Sequence, residues 1–293
     1  MKSLKERQDR RLGAFLGLAV GDALGAQVEG LPKGTFPEVR EMKGGGPHRL
    51  PPGFWTDDTS QALCLAESLL QRGFDPKDQM DRYLRWYREG YRSATGVCFG
   101  LGHATRRALE RYAATGDPYA GDEAGAGNGP LMRLAPLVLA YENHPDLLSL
   151  ARRAARTTHG AREALEATEV LAWLLREALR GAPKEALLHP ALRRVVEGGF
   201  WEAPEEGPGY APGTLAAALW AFARGRDFEE GMRLAVNLGG DADTVGAVYG
   251  QLAGAHYGLG AIPGRWLRAL HLREEMEALA LALYRMSMAS PRE

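Results

Sequence analysis

The chain has 293 residues, 45% of them hydrophobic and 25% charged, the balance of an ordinary globular protein with enough apolar mass to bury a core. Thirty-six basic and 37 acidic side chains leave a formal net charge of −1, so no overall positive field would hold the protein on nucleic acid, and an anionic ligand must be held locally. Cys64 and Cys98 are the two cysteines; they form neither a metal spacing nor a disulfide framework, which fits a reducing compartment and predicts a cytoplasmic location.

Lys2 to Arg11 is basic and Leu12 to Val20 is apolar, an imitation of an export signal. Glu6 and Asp9 interrupt the basic part, Asp22 closes the apolar run, and the run is far shorter than the roughly 20 residues a membrane span needs. No membrane association is expected. Gly13, Gly17, Gly21 and Gly25 recur at every fourth position. On a helix they align as a ridge without side chains, at a cost of about 1 kcal/mol per glycine relative to alanine, which close packing must offset. Asp22 lies inside this ridge, where a buried carboxylate needs partners, and Glu29 follows two turns on. Gly44 to Pro47 and Pro51 to Gly53 read as loops. Trp55-Thr56-Asp57-Asp58-Thr59 then precedes a helical pattern from about Ser60 to Gln71. Capping a helix start needs one Asp or Thr, and this segment carries several.

A glycine-rich loop from Gly121 to Pro130 runs into a helix predicted from Leu131 to Tyr141. Glycines ahead of a helix leave N–H groups free for an anion; the plainer reading is a flexible loop with Asn128 as cap and Pro130 in the first turn. His159, within Thr157-Thr158-His159-Gly160, reads as a polar residue near a helix boundary. Leu171, Leu174, Leu175 and Ala178 fall on one helical face. Gly207 to Gly213 is another loop, and helical spacing returns over Leu215 to Ala223 and Glu274 to Met286. Between these, Gly239-Gly240-Asp241-Ala242-Asp243-Thr244 precedes a second glycine series at Gly246, Gly250, Gly254 and Gly258. No stretch alternates as a half-buried strand would, and no composition break divides the chain, so a single all-α domain over residues 1–293 is expected. The two acidic segments offer hard oxygen ligands without cysteine or paired histidines, a set suited to magnesium, manganese or calcium rather than zinc.

Gly17 to Gly25, Thr56 to Thr59, Gly127 to Arg133, Thr158-His159 and Gly239 to Thr244, in this order and spacing, resemble the ADP-ribosylglycohydrolase family. The resemblance implies a compact orthogonal multi-helix fold, two divalent cations (Mg2+ or Mn2+), and hydrolysis of an α-glycosidic bond between ADP-ribose and an acceptor. The implied partner is an ADP-ribosylated protein or an ADP-ribose derivative. Carried over by position, Thr56, Asp57, Asp58, Asp241, Asp243 and Thr244 would hold the metals, with Asp57 and Asp58 also at the chemistry. Gly127, Asn128, Gly129, Met132 and His159 would contact ADP-ribose, and Tyr210 or Trp55 could stack on a ring, although core packing suits Trp55 better. A metal ligand is a poor base because the cation holds its lone pairs, and Asp22 in its ridge reads as structural. Glu29, next to Gly30 and able to move with the following loop, is therefore the expected base. Gly100 stands where several relatives acting on ADP-ribosylarginine carry an aspartate, which weakens the expectation of an arginine-linked substrate. Two other readings are a non-catalytic ADP-ribose binder or structural relative, and a metal-dependent hydrolase of another nucleotide.

Overall fold

The protein is described here from a computed structural model, which covers residues 3–189, 204–205 and 207–289. Among the described residues the chain forms α1 (Leu4–Gly25), α2 (Asp57–Arg72), α3 (Pro76–Glu89), α4 (His103–Thr115), α5 (Gly129–Met132), α6 (Ala135–Tyr141) and α7 (Leu147–Ala155). It continues with α8 (Arg162–Arg180), α9 (Lys184–Leu187), α10 (Ala211–Arg224), α11 (Phe228–Val236), α12 (Ala242–Tyr257), α13 (Gly264–Ala269) and α14 (Arg273–Ala289). No strand occurs among the described residues; two isolated bridges join Gly45 to Leu50 and Gly127 to Tyr210. The all-α expectation holds, and no described helix is long and apolar enough to cross a membrane.

The basic and apolar stretches at the start form one continuous helix. Ser3 opens it with a capping box, its Oγ accepting from the Glu6 N–H at 3.2 Å while Glu6 Oε2 accepts from the Ser3 N–H at 2.8 Å. From Gly13 onward this helix is buried and lies antiparallel against α12. A β-carbon on Gly13, Gly17, Gly21 or Gly25 would collide with the carbonyl of Gly254, Gly250, Gly246 or Ala242 in turn. The two glycine series therefore pack against each other, with one change from expectation. Gly258 lies past the end of α12 at φ +87°, and Ala242 takes the fourth level. Such an approach brings the C-terminal end of α1 to the N-terminal end of α12.

The helix predicted over Leu131 to Tyr141 is broken between α5 and α6. Pro136 lacks the N–H that would bond the Met132 carbonyl, and its ring crowds that oxygen. Gln251 of α12 fills the gap: its Nε2 donates to the Leu131 and Met132 carbonyls at 3.0 and 3.4 Å, and its Oε1 accepts from the Ala135 N–H at 2.7 Å. Leu171, Leu174, Leu175 and Ala178 of α8 are buried as their spacing required.

Candidate active site

The first acidic segment is held by a residue of another helix. Thr56, the residue before α2, makes no cap with its own side chain. Asp22 of α1 does the capping instead. Its Oδ1 accepts from the Thr56 N–H (2.9 Å) and Oγ1 (2.8 Å), and its Oδ2 from the Thr59 N–H (3.0 Å) and Oγ1 (2.7 Å). Asp22 is thus a brace, and it also joins the acidic set: one oxygen each of Asp22, Asp58 and Asp243 lie within 4.8 Å of one another.

These buried groups are incompletely satisfied. Thr56 Oγ1 sits 2.8 Å from Asp22 Oδ1, 3.1 Å from Asp58 Oδ2 and 3.0 Å from Asp243 Oδ2, yet a hydroxyl has one proton to give. Asp58 Oδ1 and Asp243 Oδ1 are buried without a hydrogen-bond partner. Burial, followed by mutual repulsion, raises the carboxyls of Asp57, Asp58 and Asp243 well above their ordinary value, and burial lifts Asp22 to about 6. An oxygen-only set that is short of positive charge, with orphaned lone pairs, fits a hard divalent cation.

The second acidic segment meets the first across one cavity of 330 Å3. Glu29, Asp57, Asp241, Asp243 and Thr244 contribute to its wall, as do Gly127, Asn128, Gly129, Met132 and His159. Thr56 and Asp58 lie behind it, fully buried. Tyr210 does not line the cavity but directly follows the wall residue Gly209, and it is 41% exposed. The backbone around it braces the glycine loop, the Asn128 N–H donating to the Gly209 carbonyl (3.1 Å) and the Ala211 N–H to the Ala126 carbonyl (3.0 Å). Trp55 is a core residue, its Nε1 donating to the His271 carbonyl at 3.1 Å.

The Gly121–Pro130 loop is tied down rather than flexible. Asn128 does not cap α5; its Nδ2 donates to Asp241 Oδ2 at 2.6 Å and Thr214 Oγ1 at 2.9 Å. Gly127 and Gly129 wrap the ring of His159, where a β-carbon on Gly129 would come within 2.7 Å of Cε1. Arg133 donates to Thr158 Oγ1 at 2.6 Å, and that hydroxyl faces His159 Nδ1 at 2.8 Å. Burial and then the Arg133 charge push the imidazole down to about 3, so it is neutral at ordinary pH.

Glu29 is also held, contrary to the expected mobility. The Gly30 N–H donates to the Gly240 carbonyl and the Gly240 N–H to the Leu31 carbonyl, both at 2.8 Å, which binds the turn after α1 to the turn before α12. Glu29 Oε2 lies 3.0 Å from His48 Nε2. Burial raises the Glu29 carboxyl, with His48 opposing. Sequence reasoning missed His48, which meets Glu29 from a separate loop, and the wall residues Thr105 and Gly209, which reach the cavity from a helix and a loop remote in the chain.

The family model for ADP-ribosylglycohydrolases matches residues 3–292. The chain belongs to the ADP-ribosylglycohydrolase family. As a member it is a hydrolase of glycosidic linkages to ADP-ribose. It is 40% identical over 291 residues to the ADP-ribosylarginine hydrolase Tri1 of Pseudomonas putida, covering 94% of this chain and 78% of that protein. It is 38% identical to the ADP-ribosyl-[dinitrogen reductase] glycohydrolase of Rhodospirillum rubrum, with 92% of each chain covered. A solved structure titled ADP-ribosylglycohydrolase-related protein complex superposes with a TM-score of 0.90 at 92% identity, covering 97% of this chain and 100% of that one.

Proposed function

We propose that the cavity takes an ADP-ribosyl group carried by a protein or small acceptor and hydrolyses its anomeric bond, with two divalent cations, magnesium or manganese, on the acidic set. The observation that carries this reading is the convergence of Asp58 and Asp243, each with an orphaned carboxylate oxygen, beside a wall built from the glycine loop. Asp58 and Asp243 would hold the cations, with Thr56, Asp57, Asp241 and Thr244 completing the set. When bound, such ions neutralise the carboxylates and polarise oxygens of the ligand.

The remaining chemistry falls to the chain's own groups. Gly127 and Gly129 have backbone N–H groups without acceptors among the described residues, and these serve the diphosphate. His159, with Nδ1 engaged by Thr158, presents Nε2–H to the ligand, and Met132 packs beside it. Asn128 keeps Asp241 in orientation. Cleavage at the anomeric carbon passes through an oxocarbenium-like state that water must quench. Glu29 takes the proton of that water, its carboxyl raised by burial toward the working pH and its second oxygen fixed by His48.

The test is incubation with ADP-ribosylated protein carrying arginine or serine linkages, with magnesium or manganese, and chromatographic detection of the products. Release of intact ADP-ribose is expected. Release of AMP from ADP-ribose itself would transfer the site to phosphoester chemistry, and binding without any product would make it a receptor.

A further inference from the structure

Arg133, the residue that ends α5, is buried, and its hydrogen-bond partners among the described residues are neutral. Its Nη1 donates to Gln61 Oε1 and its Nη2 to Thr158 Oγ1, both at 2.6 Å, and its guanidinium lies over the Tyr83 ring with Cζ 4.7 Å from the centroid. A buried cation without a carboxylate is a costly way to fill space, so the donors it supplies are the feature to explain. A guanidinium only donates. Thr158 Oγ1 therefore accepts from it, and the hydroxyl has one proton left to place. Thr158 is fully buried, and the other partner of its Oγ1 among the described residues is His159 Nδ1 at 2.8 Å. Directed anywhere else, the proton would be buried without an acceptor. The hydroxyl thus donates to Nδ1, which must be the bare nitrogen of this neutral ring, and the ring proton sits on Nε2. Nε2 has no hydrogen-bond partner among the described residues. His159 lines the cavity, and β-carbons on Gly127 and Gly129 would stand 3.2 and 3.4 Å from Nε2. Two glycines leave that nitrogen uncovered.

We propose that Arg133 is a positioning residue of the cavity: through Thr158 it fixes His159 in the form protonated on Nε2, so that the ring meets a ligand as a hydrogen-bond donor. The direction of the relay is set at its start, because the guanidinium has no lone pair to offer the hydroxyl. Without Arg133 the Thr158 hydroxyl could equally accept from a proton on Nδ1, and Nε2 would then turn a lone pair to the cavity. Such a lone pair repels an anionic oxygen. The benefit to an ADP-ribosyl ligand rests on the reading of the cavity given above, whereas the position of the proton does not.

The proton is located without ADP-ribose, in full-length protein labelled with 15N-histidine and held in magnesium buffer. Long-range proton–nitrogen correlations distinguish a protonated from a bare ring nitrogen, and the pattern lost in His159→Gln assigns the ring. His159 should carry its proton on Nε2 and show a bare Nδ1. Thr158→Ser should keep this pattern, while Arg133→Met and Thr158→Val should give a mixture of the two forms. A proton on Nδ1 in the parent overturns the proposal, and so does the parent pattern in Arg133→Met or Thr158→Val. Should Arg133→Met not fold, the parent labelled with 15N-arginine decides: hindered rotation of the Arg133 Nη2 group upholds its bond to Thr158, and free rotation overturns the proposal. Calorimetric titration with ADP-ribose then tests the ligand separately. Thr158→Val should weaken binding about two- to fivefold, as a binding-competent form that is only partly populated requires, and Thr158→Ser should not. If the ring responds but the affinity does not, Arg133 keeps its role and His159 is removed from the ligand's contacts. If the parent binds no ADP-ribose, the ADP-ribosyl reading fails on its own, and the labelled ring still decides the role of Arg133.

Discussion

Gly21 of α1 and Gly246 of α12 stack backbone against backbone, and a β-carbon on either would strike the carbonyl of the other. Asp22 follows the first by one position, and Asp243 precedes the second by about one helical turn. The closeness of the helices is therefore what allows carboxylates from distant parts of the chain to share one site.

Alanine at Gly21 or Gly246 should separate the helices. Overpacking costs about 1–3 kcal/mol or more, against about 1 kcal/mol gained in helix propensity. A net loss of about 1–2 kcal/mol is expected from these terms in urea unfolding, with weaker divalent-cation binding. An alanine variant with the parent midpoint and the parent cation affinity would refute the coupling of ridge and site.

Asp58→Asn and Asp243→Asn should fold normally, because each removes a repelled charge without opening a cavity. In the metal-free protein their thermal midpoints should equal or exceed that of the parent. ADP-ribose release should fall by more than about 100-fold, beyond what loss of an outer contact to a metal site usually costs. A variant that unfolds, or one that keeps its turnover, contradicts the assignment.

Glu29→Gln should lower kcat by roughly two to four orders of magnitude while ADP-ribose affinity barely changes, the pattern of a lost general base. His48→Ala should have the smaller effect, about 10- to 100-fold, as expected for an orienting partner. Steady-state kinetics on one accepted substrate decides both. Parent-like kcat in Glu29→Gln would return the base to the aspartates.

Asp22 has its carboxyl raised from an ordinary value near 3.8 to about 6 by burial. A raised carboxyl holds its proton longer in the folded state than in the unfolded one. Its contribution to stability is complete below the unfolded value and is lost as pH rises through about 6. Asp57, Asp58 and Asp243 act in the same direction. His159, lowered to about 3, and His271, also lowered, act oppositely as pH falls below 6.5, but Glu29 and Glu142 are raised as well, so the raised carboxyls outnumber the histidines. The metal-free protein should therefore become less stable as pH rises from 5 to 7.5, and a divalent cation should restore the loss at the upper end. Calorimetric melting with and without chelator would expose the opposite trend if the cluster were already neutralised by the protein.

The glycine spacing, the helical periodicity of α8 and the two Asp-Thr segments were legible in the sequence because they are local. Period and composition within one helix dictate which face is bare, which is apolar and which end gathers carboxylates. What the local pattern could not decide was which end of which helix meets another. The break before Pro136 depends on Gln251, far along the chain, accepting and donating where the helix cannot. Asp22 looked purely structural until its brace of Thr56 and Thr59 set it beside Asp58 and Asp243. Glu29 looked free until Gly240 and His48 tied it. Tyr210 looked available for stacking, and the structure sets it exposed at the rim, directly after the wall residue Gly209. In the other cases the deciding contact joins groups remote in sequence. Its energy exists only once the α1 and α12 backbones have closed together, so no pattern confined to one segment carries it.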